Sequence, residues 1–113
     1  MKAVDDALSL ADRTGVRWIE ADLHRLRGEL LAAGAEPRLL EAEACFRRAL
    51  AVAGEQGALM WELRAATSFA RSLRDQGGRR REVRDLLASV YERFTEGFDA
   101  PDLRDAKVVL KEL

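Results

Sequence analysis

Very little in this chain of 113 residues is equipped for covalent chemistry: it has one cysteine and one histidine. The lone thiol, Cys45, cannot close an internal disulfide, so a reducing cytoplasm is the expected setting. One Cys and one His also fall short of the clustered ligands of a structural zinc site, and no metal is expected. Only two prolines occur, neither interrupts an apolar pattern, and no stretch alternates apolar and polar for long, which argues against sheet. Nothing approaches the roughly 20 apolar residues of a membrane span. The start, Met1-Lys2-Ala3-Val4-Asp5-Asp6, is too acidic and short for a signal peptide. Net charge is missing as well: 19 basic and 20 acidic side chains leave −1, which points neither to nucleic acid nor to an anionic membrane.

What the chain does have is charge of both signs, 35% of its residues, on a background of Ala and Leu, with 16 Arg against three Lys. Its length suits one domain, since a chain of this size buries roughly two thirds of its unfolded surface. It also matches itself at an offset of 42 residues. Ala7-Leu8 recurs as Ala49-Leu50, Ala11 as Ala53, Gly15 as Gly57, Glu20 as Glu62, Gly28 as Ala70 and Leu31 as Leu73. A repeat unit cannot bury its apolar face alone, so units stack and leave an extended surface for a partner. Binding rather than catalysis is expected.

Helical spacing of apolar residues gives six segments. The first, 3–13, aligns Val4, Ala7, Leu8 and Ala11 and stops at Gly15. The second, 17–33, spaces Ile19, Leu23, Leu26 and Leu30 before Gly34. Pro37 opens the third, 38–54, in the first turn where a missing N–H is tolerated; its stripe is Leu39, Ala42, Phe46, Ala49 and Ala53. Gly54 and Gly57 bracket the next turn. The fourth, 58–76, carries Leu59, Leu63, Ala66, Ala70 and Leu73 and closes at Gly77-Gly78. The fifth, 79–94, presents Val83, Leu87, Val90 and Phe94; after the loop Thr95–Pro101, a last helix buries Leu103, Ala106 and Leu110. Short turns imply antiparallel neighbours. Two helices approach at the short end of the 8 to 10 Å range only where the side chains between them are tiny. Gly28 and Ala70 hold that position in successive units, and Ala42 and Ala49 flank Phe46 on the facing helix. The expected core is Gly28, Ala42, Phe46, Ala49, Ala70 and Leu87.

These residues resemble the tetratricopeptide repeat family. Its small residue midway along the first helix is similar to Gly28 and Ala70, and its Ala, Phe and Ala of the second helix to Ala42, Phe46 and Ala49. The second unit offers Val83, Leu87 and Val90 at those places, and the period of 42 exceeds the family's usual value of about 34. The resemblance implies an all-α fold of antiparallel helical hairpins stacked as a short right-handed α-α superhelix. It would run as a half repeat at 1–15, repeats at 16–57 and 58–94, and a C-terminal capping helix at 101–112.

A narrower resemblance covers nearly the whole chain. The runs Leu23–Leu31, Ala42–Leu50, Glu62–Ser68 and Tyr91–Asp99 are similar to the C-terminal region of bacterial multidomain regulators. Those join a class III adenylate/guanylate cyclase or DNA-binding domain to a P-loop ATPase and a long tetratricopeptide array. It implies a scaffolding or sensory segment of a signalling protein. No G-x-x-x-x-G-K-[ST] loop is present, so no catalytic residue and no cofactor is carried over. The first helix corresponds to the second half of a repeat. Its exposed stripe, Val4, Leu8 and Ala11, is then expected to associate with another copy.

The candidate partner-binding groove is formed by outward positions of the units' first helices: Asp22, Arg25, Glu29, Arg64, Thr67, Arg71 and Arg74. Its four arginines could hold an acidic peptide by charge-assisted hydrogen bonds. The plainer reading of the same face is i to i+4 ion pairing, such as Arg25 with Glu29. An alternative function, nucleic-acid or small-ligand sensing, would use the Arg-rich face at 71–84. There Arg71, Arg74, Arg79, Arg80, Arg81 and Arg84 exceed Asp75, Glu82 and Asp85 by three charges, but no aromatics are interleaved as nucleic-acid binding favours. Arg79-Arg80-Arg81 begin a helix, where the macrodipole disfavours cations, so they are expected to splay into solvent or meet an acid. His24 lacks a nucleophile and reads as a packing or surface residue, Cys45 as a small buried apolar one, and Trp18 and Trp61 as caps on the core in preference to exposed contacts.

Overall fold

Glycines and turn residues divide the chain into six helices in the computed structural model, which describes residues 2–14, 19–74 and 79–113, with only the backbone of Thr14. The helices are α1 (Lys2–Thr14), α2 (Glu20–Ala33), α3 (Leu39–Glu55), α4 (Leu59–Leu73), α5 (Arg80–Tyr91) and α6 (Pro101–Glu112). The fold is all-α and built of helical hairpins, with no strand among the described residues. The expected stops at Gly15 and Gly77-Gly78, together with Trp18 and Asp75, lie outside the described residues.

Gly34 ends α2 in an extended conformation, and Gly57 turns the chain with φ +65, where a side chain would be strained. Pro101 occupies the first turn of α6, as expected. Pro37 does not do the same for α3. The Arg38 amide donates to the Leu31 carbonyl at 3.0 Å, satisfying an orphan acceptor at the end of α2, so α3 starts only at Leu39. Gly54 falls inside the last turn of α3, leaving Gly57 alone in the turn proper. Helix α5 stops at Tyr91, three residues short of expectation, because the amides of Arg93 and Phe94 bond back to Val90 and Tyr91, three residues earlier, in a tighter turn.

Helix α4 is the centre of the molecule, packed by α2, α3, α5 and α6. Sequence spacing gives it one apolar stripe, yet every residue from Ala65 to Ala70 is buried. The main core runs from Leu31 through Phe46, Phe69, Leu73, Val83 and Leu87 to Leu103 and Val109. A smaller cluster joins Ala21, Val52 and Ala53, with half-buried Trp61 against it. All six expected core residues, Gly28, Ala42, Phe46, Ala49, Ala70 and Leu87, are buried. The ring of Phe46 lies so close to α2 that a Cβ at Gly28 would stand 2.8 Å from its Cε1. On its other side Phe46 stacks on Phe69, with centroids 5.6 Å apart and 15° between the planes. Arg47 covers Phe69 from outside, its guanidinium carbon 5.2 Å from the ring centroid.

Helix α2 is apolar on two sides. Ala21, Gly28 and Leu31 are buried towards α3 and α4, whereas Ile19, Leu23 and Leu26 are half-buried, and among the described residues α1 packs on no other helix than α2. This corrects two expectations. Leu30 is 49% exposed, because Asp5 in the first turn of α1 already pairs with Arg27, so α1 is nearly spent where Leu30 stands. In α1, Ala11 is buried and Val4 and Leu8 are half-covered, while Leu10 on the neighbouring edge is 53% exposed. At the other end of the chain, Val109 rather than Leu110 is the buried third member of the α6 stripe. No described helix is long and apolar enough to cross a membrane.

Candidate partner-binding site

The expected groove residues gather on one face formed by α2, α4 and α6, but most of their charge is spent inside the protein. Arg25 on α2 donates from Nε to Asp22 at 2.8 Å and from Nη1 to Glu29 at 3.0 Å. Ser68 on α4 donates to Glu29 at 2.6 Å and lies 3.3 Å from Arg25 Nη1, tying α4 to α2. Arg64 bridges both neighbours, reaching Asp102 on α6 at 2.9 Å and Asp22 on α2 at 3.4 Å. Burial works against the charged form of Asp22, but the guanidiniums of Arg25 and Arg64 outweigh it and hold its carboxyl below the usual carboxylate range. The Asp102 carboxylate in turn pushes the Arg64 guanidinium up.

Three expectations change. Thr67 is only 5% exposed and its hydroxyl donates to the Leu63 carbonyl at 2.9 Å, so it forms a floor rather than a contact. Arg74 pairs with Glu112 at the end of α6. The reading with four arginines open to an acidic peptide is therefore reduced to one, Arg71, which is exposed and makes no hydrogen bond or ion pair among the described residues. The pair Arg25–Glu29 forms as the plainer reading expects. What remains accessible is a polar cavity of about 220 Å³ lined by Arg25, Arg64, Thr67, Ser68, Arg71, Asp102 and Asp105. Ser68, Asp102 and Asp105 escaped the sequence reading. Spacing on one helix cannot show that α6 lies across α4.

The Arg-rich face is likewise partly neutralised. Arg79 grips Glu43 of α3 with two bonds, of 2.6 and 2.8 Å, and meets Glu82 at 3.1 Å; Arg47 joins Glu43 and Glu82 at 2.9 Å each. Hydrogen bonding from Arg79, with Arg47 behind it, lowers the Glu43 carboxyl to about 2. Arg80 donates to the Glu112 carbonyl at 2.6 Å, while Arg81 and Arg84 are exposed and line a shallow hollow with Asp85 and Leu113.

His24 lies 3.6 Å from Glu20, and burial, only partly offset by Glu20, pushes its imidazole down. Cys45 is buried and accepts a hydrogen bond from Arg27 Nη1 at 2.9 Å. Among the described residues no group of His, Cys, Asp and Glu is placed to hold a metal ion. No protein-family model, curated protein or solved structure matches the chain.

Proposed function

We propose that the chain is a non-catalytic, tetratricopeptide-like interaction module of a bacterial signalling or transcriptional regulator. In this reading it works in the cytoplasm and holds a protein or peptide partner on the face formed by α2, α4 and α6. The observation that carries the reading is the pairing of Asp22 with Arg64, residues 42 apart, which is the offset at which the sequence matches itself. Equivalent residues of successive units meet when their first helices stand side by side, and side-by-side helices make the extended surface that repeat proteins use for binding. Mixed charge on that face suits a partner of mixed charge, with Arg71 as its free cationic contact. The free, buried thiol of Cys45 is in keeping with a reducing compartment.

Affinity capture from the source cell tests the reading. Wild-type protein should retain a specific partner that is lost with Arg71→Glu and kept with Arg13→Glu on α1. A partner bound equally by all three, or by none, would count against it. Self-association through the α1 end belongs to the same proposal, supported by exposed Leu30. Light scattering should show dimers or larger species, and monomer alone at high concentration would refute that part.

A further inference from the structure

The cavity between α2, α4 and α6 has five charged side chains in its walls, and three of them are answered within the protein. Arg25 is met by Asp22 and Glu29, Arg64 by Asp22 and Asp102, and Asp102 by Arg64. The other two are not: Arg71 on α4 and Asp105 on α6 make no ion pair with each other or with any described residue. One open guanidinium and one open carboxylate thus share a single small polar volume.

That arrangement selects its ligand by charge. A simple anion gains Arg71 but meets Asp105 as a like charge, and a simple cation gains Asp105 but meets Arg71. A molecule with ammonium and carboxylate on one carbon answers both open groups at once. We infer that the cavity binds a free α-amino acid as its zwitterion. The carboxylate lies on Arg71, whose planar fork matches it bidentately, and the ammonium on Asp105. The floor suits the same ligand. Thr67 and Ser68 spend their hydroxyl protons on the Leu63 carbonyl and on Glu29, so each offers a lone pair to an ammonium or a short polar side chain. The cavity volume of about 220 Å³ has room for a free amino acid. The inference goes beyond partner binding and does not rest on it, because a free amino acid is read in a purified protein with no partner present.

The test is a ¹⁵N-resolved NMR titration of the full chain with the common L-amino acids one at a time. At least one small polar member, L-serine being the reference probe, should give saturable shifts centred on residues 67–71 and 102–105. Ethanolamine, which lacks the carboxylate, and 3-hydroxypropanoate, which lacks the ammonium, should bind about tenfold more weakly or worse, the factor expected for one lost charge-assisted hydrogen bond. Arg71→Ala and Asp105→Asn should each impose a similar loss. Both residues are exposed, so thermal melts of the two variants should match wild type. Absence of saturable shifts with every amino acid, equal binding of 3-hydroxypropanoate, or undiminished binding by Asp105→Asn would each overturn the inference.

Discussion

A single hydrogen atom at Gly28 is what lets the Phe46 ring lie against α2. The ring cannot move aside easily, being fully buried and stacked on Phe69. Replacing Gly by Ala inside a helix ordinarily gains about 1 kcal/mol. At Gly28 the added carbon would stand 2.8 Å from the ring, and overpacking costs about 1–3 kcal/mol. Gly28→Ala is therefore expected to destabilise by about 1 kcal/mol. Gly54 is the control: it lies in the last turn of α3, is exposed, and an added Cβ would meet nothing within 4 Å. Gly54→Ala should stabilise by about 0.5–1 kcal/mol. Urea unfolding of the two variants should move the midpoint in opposite directions, and a shared direction would contradict this packing. Phe46→Ala should cost about 3–5 kcal/mol in the same experiment, and no loss would remove Phe46 from the core.

At the scale of elements, α3 and α5 are clamped by four side chains, Glu43 and Arg47 on α3 and Arg79 and Glu82 beside or on α5. The Glu43 carboxyl sits at about 2 against an ordinary value of 4.5. Because the folded value is the lower one, the clamp contributes stability above pH 4.5 that is lost as pH falls towards 2. Asp22 adds to this loss below its ordinary 3.8. His24, depressed from 6.5, works in the same direction and begins to cost stability as pH falls below that value. Glu43→Gln should therefore be less stable than wild type at neutral pH and flatter between pH 4.5 and 2. Parallel pH curves for the two proteins would contradict the clamp. This level also shows what spacing can and cannot reveal. Arg25 and Glu29 are four residues apart and legible as a pair, and Arg79 at a helix start was expected either to splay into solvent or to meet an acid. Its partner Glu43 is 36 residues away, and Asp102 is 38 from Arg64, distances no helical period encodes.

For the molecule as a whole, six helices and most of the core stripes of α3, α4 and α5 were legible because apolar residues recur every three or four positions, whereas Leu30 of α2 and Leu110 of α6 were misplaced in their stripes. Burial of the remaining sides of α4 was not legible, since Ala65, Thr67, Ser68 and Phe69 are covered by helices distant in sequence. The same non-local packing decides the site: α6 lays Asp102 and Asp105 over α4 and turns a row of arginines into a nearly balanced cavity. Arg64 both joins three helices and lines the cavity, so a change there acts on the packing and on the cavity wall together. All of this depends on α2 and α4 standing side by side with Phe46 wedged between them. Nuclear Overhauser spectroscopy in solution tests that placement most directly. It should show the Phe46 ring protons close to both the Gly28 α-protons and the Phe69 ring. A folded protein in which Phe46 reaches Phe69 but never Gly28 would contradict it.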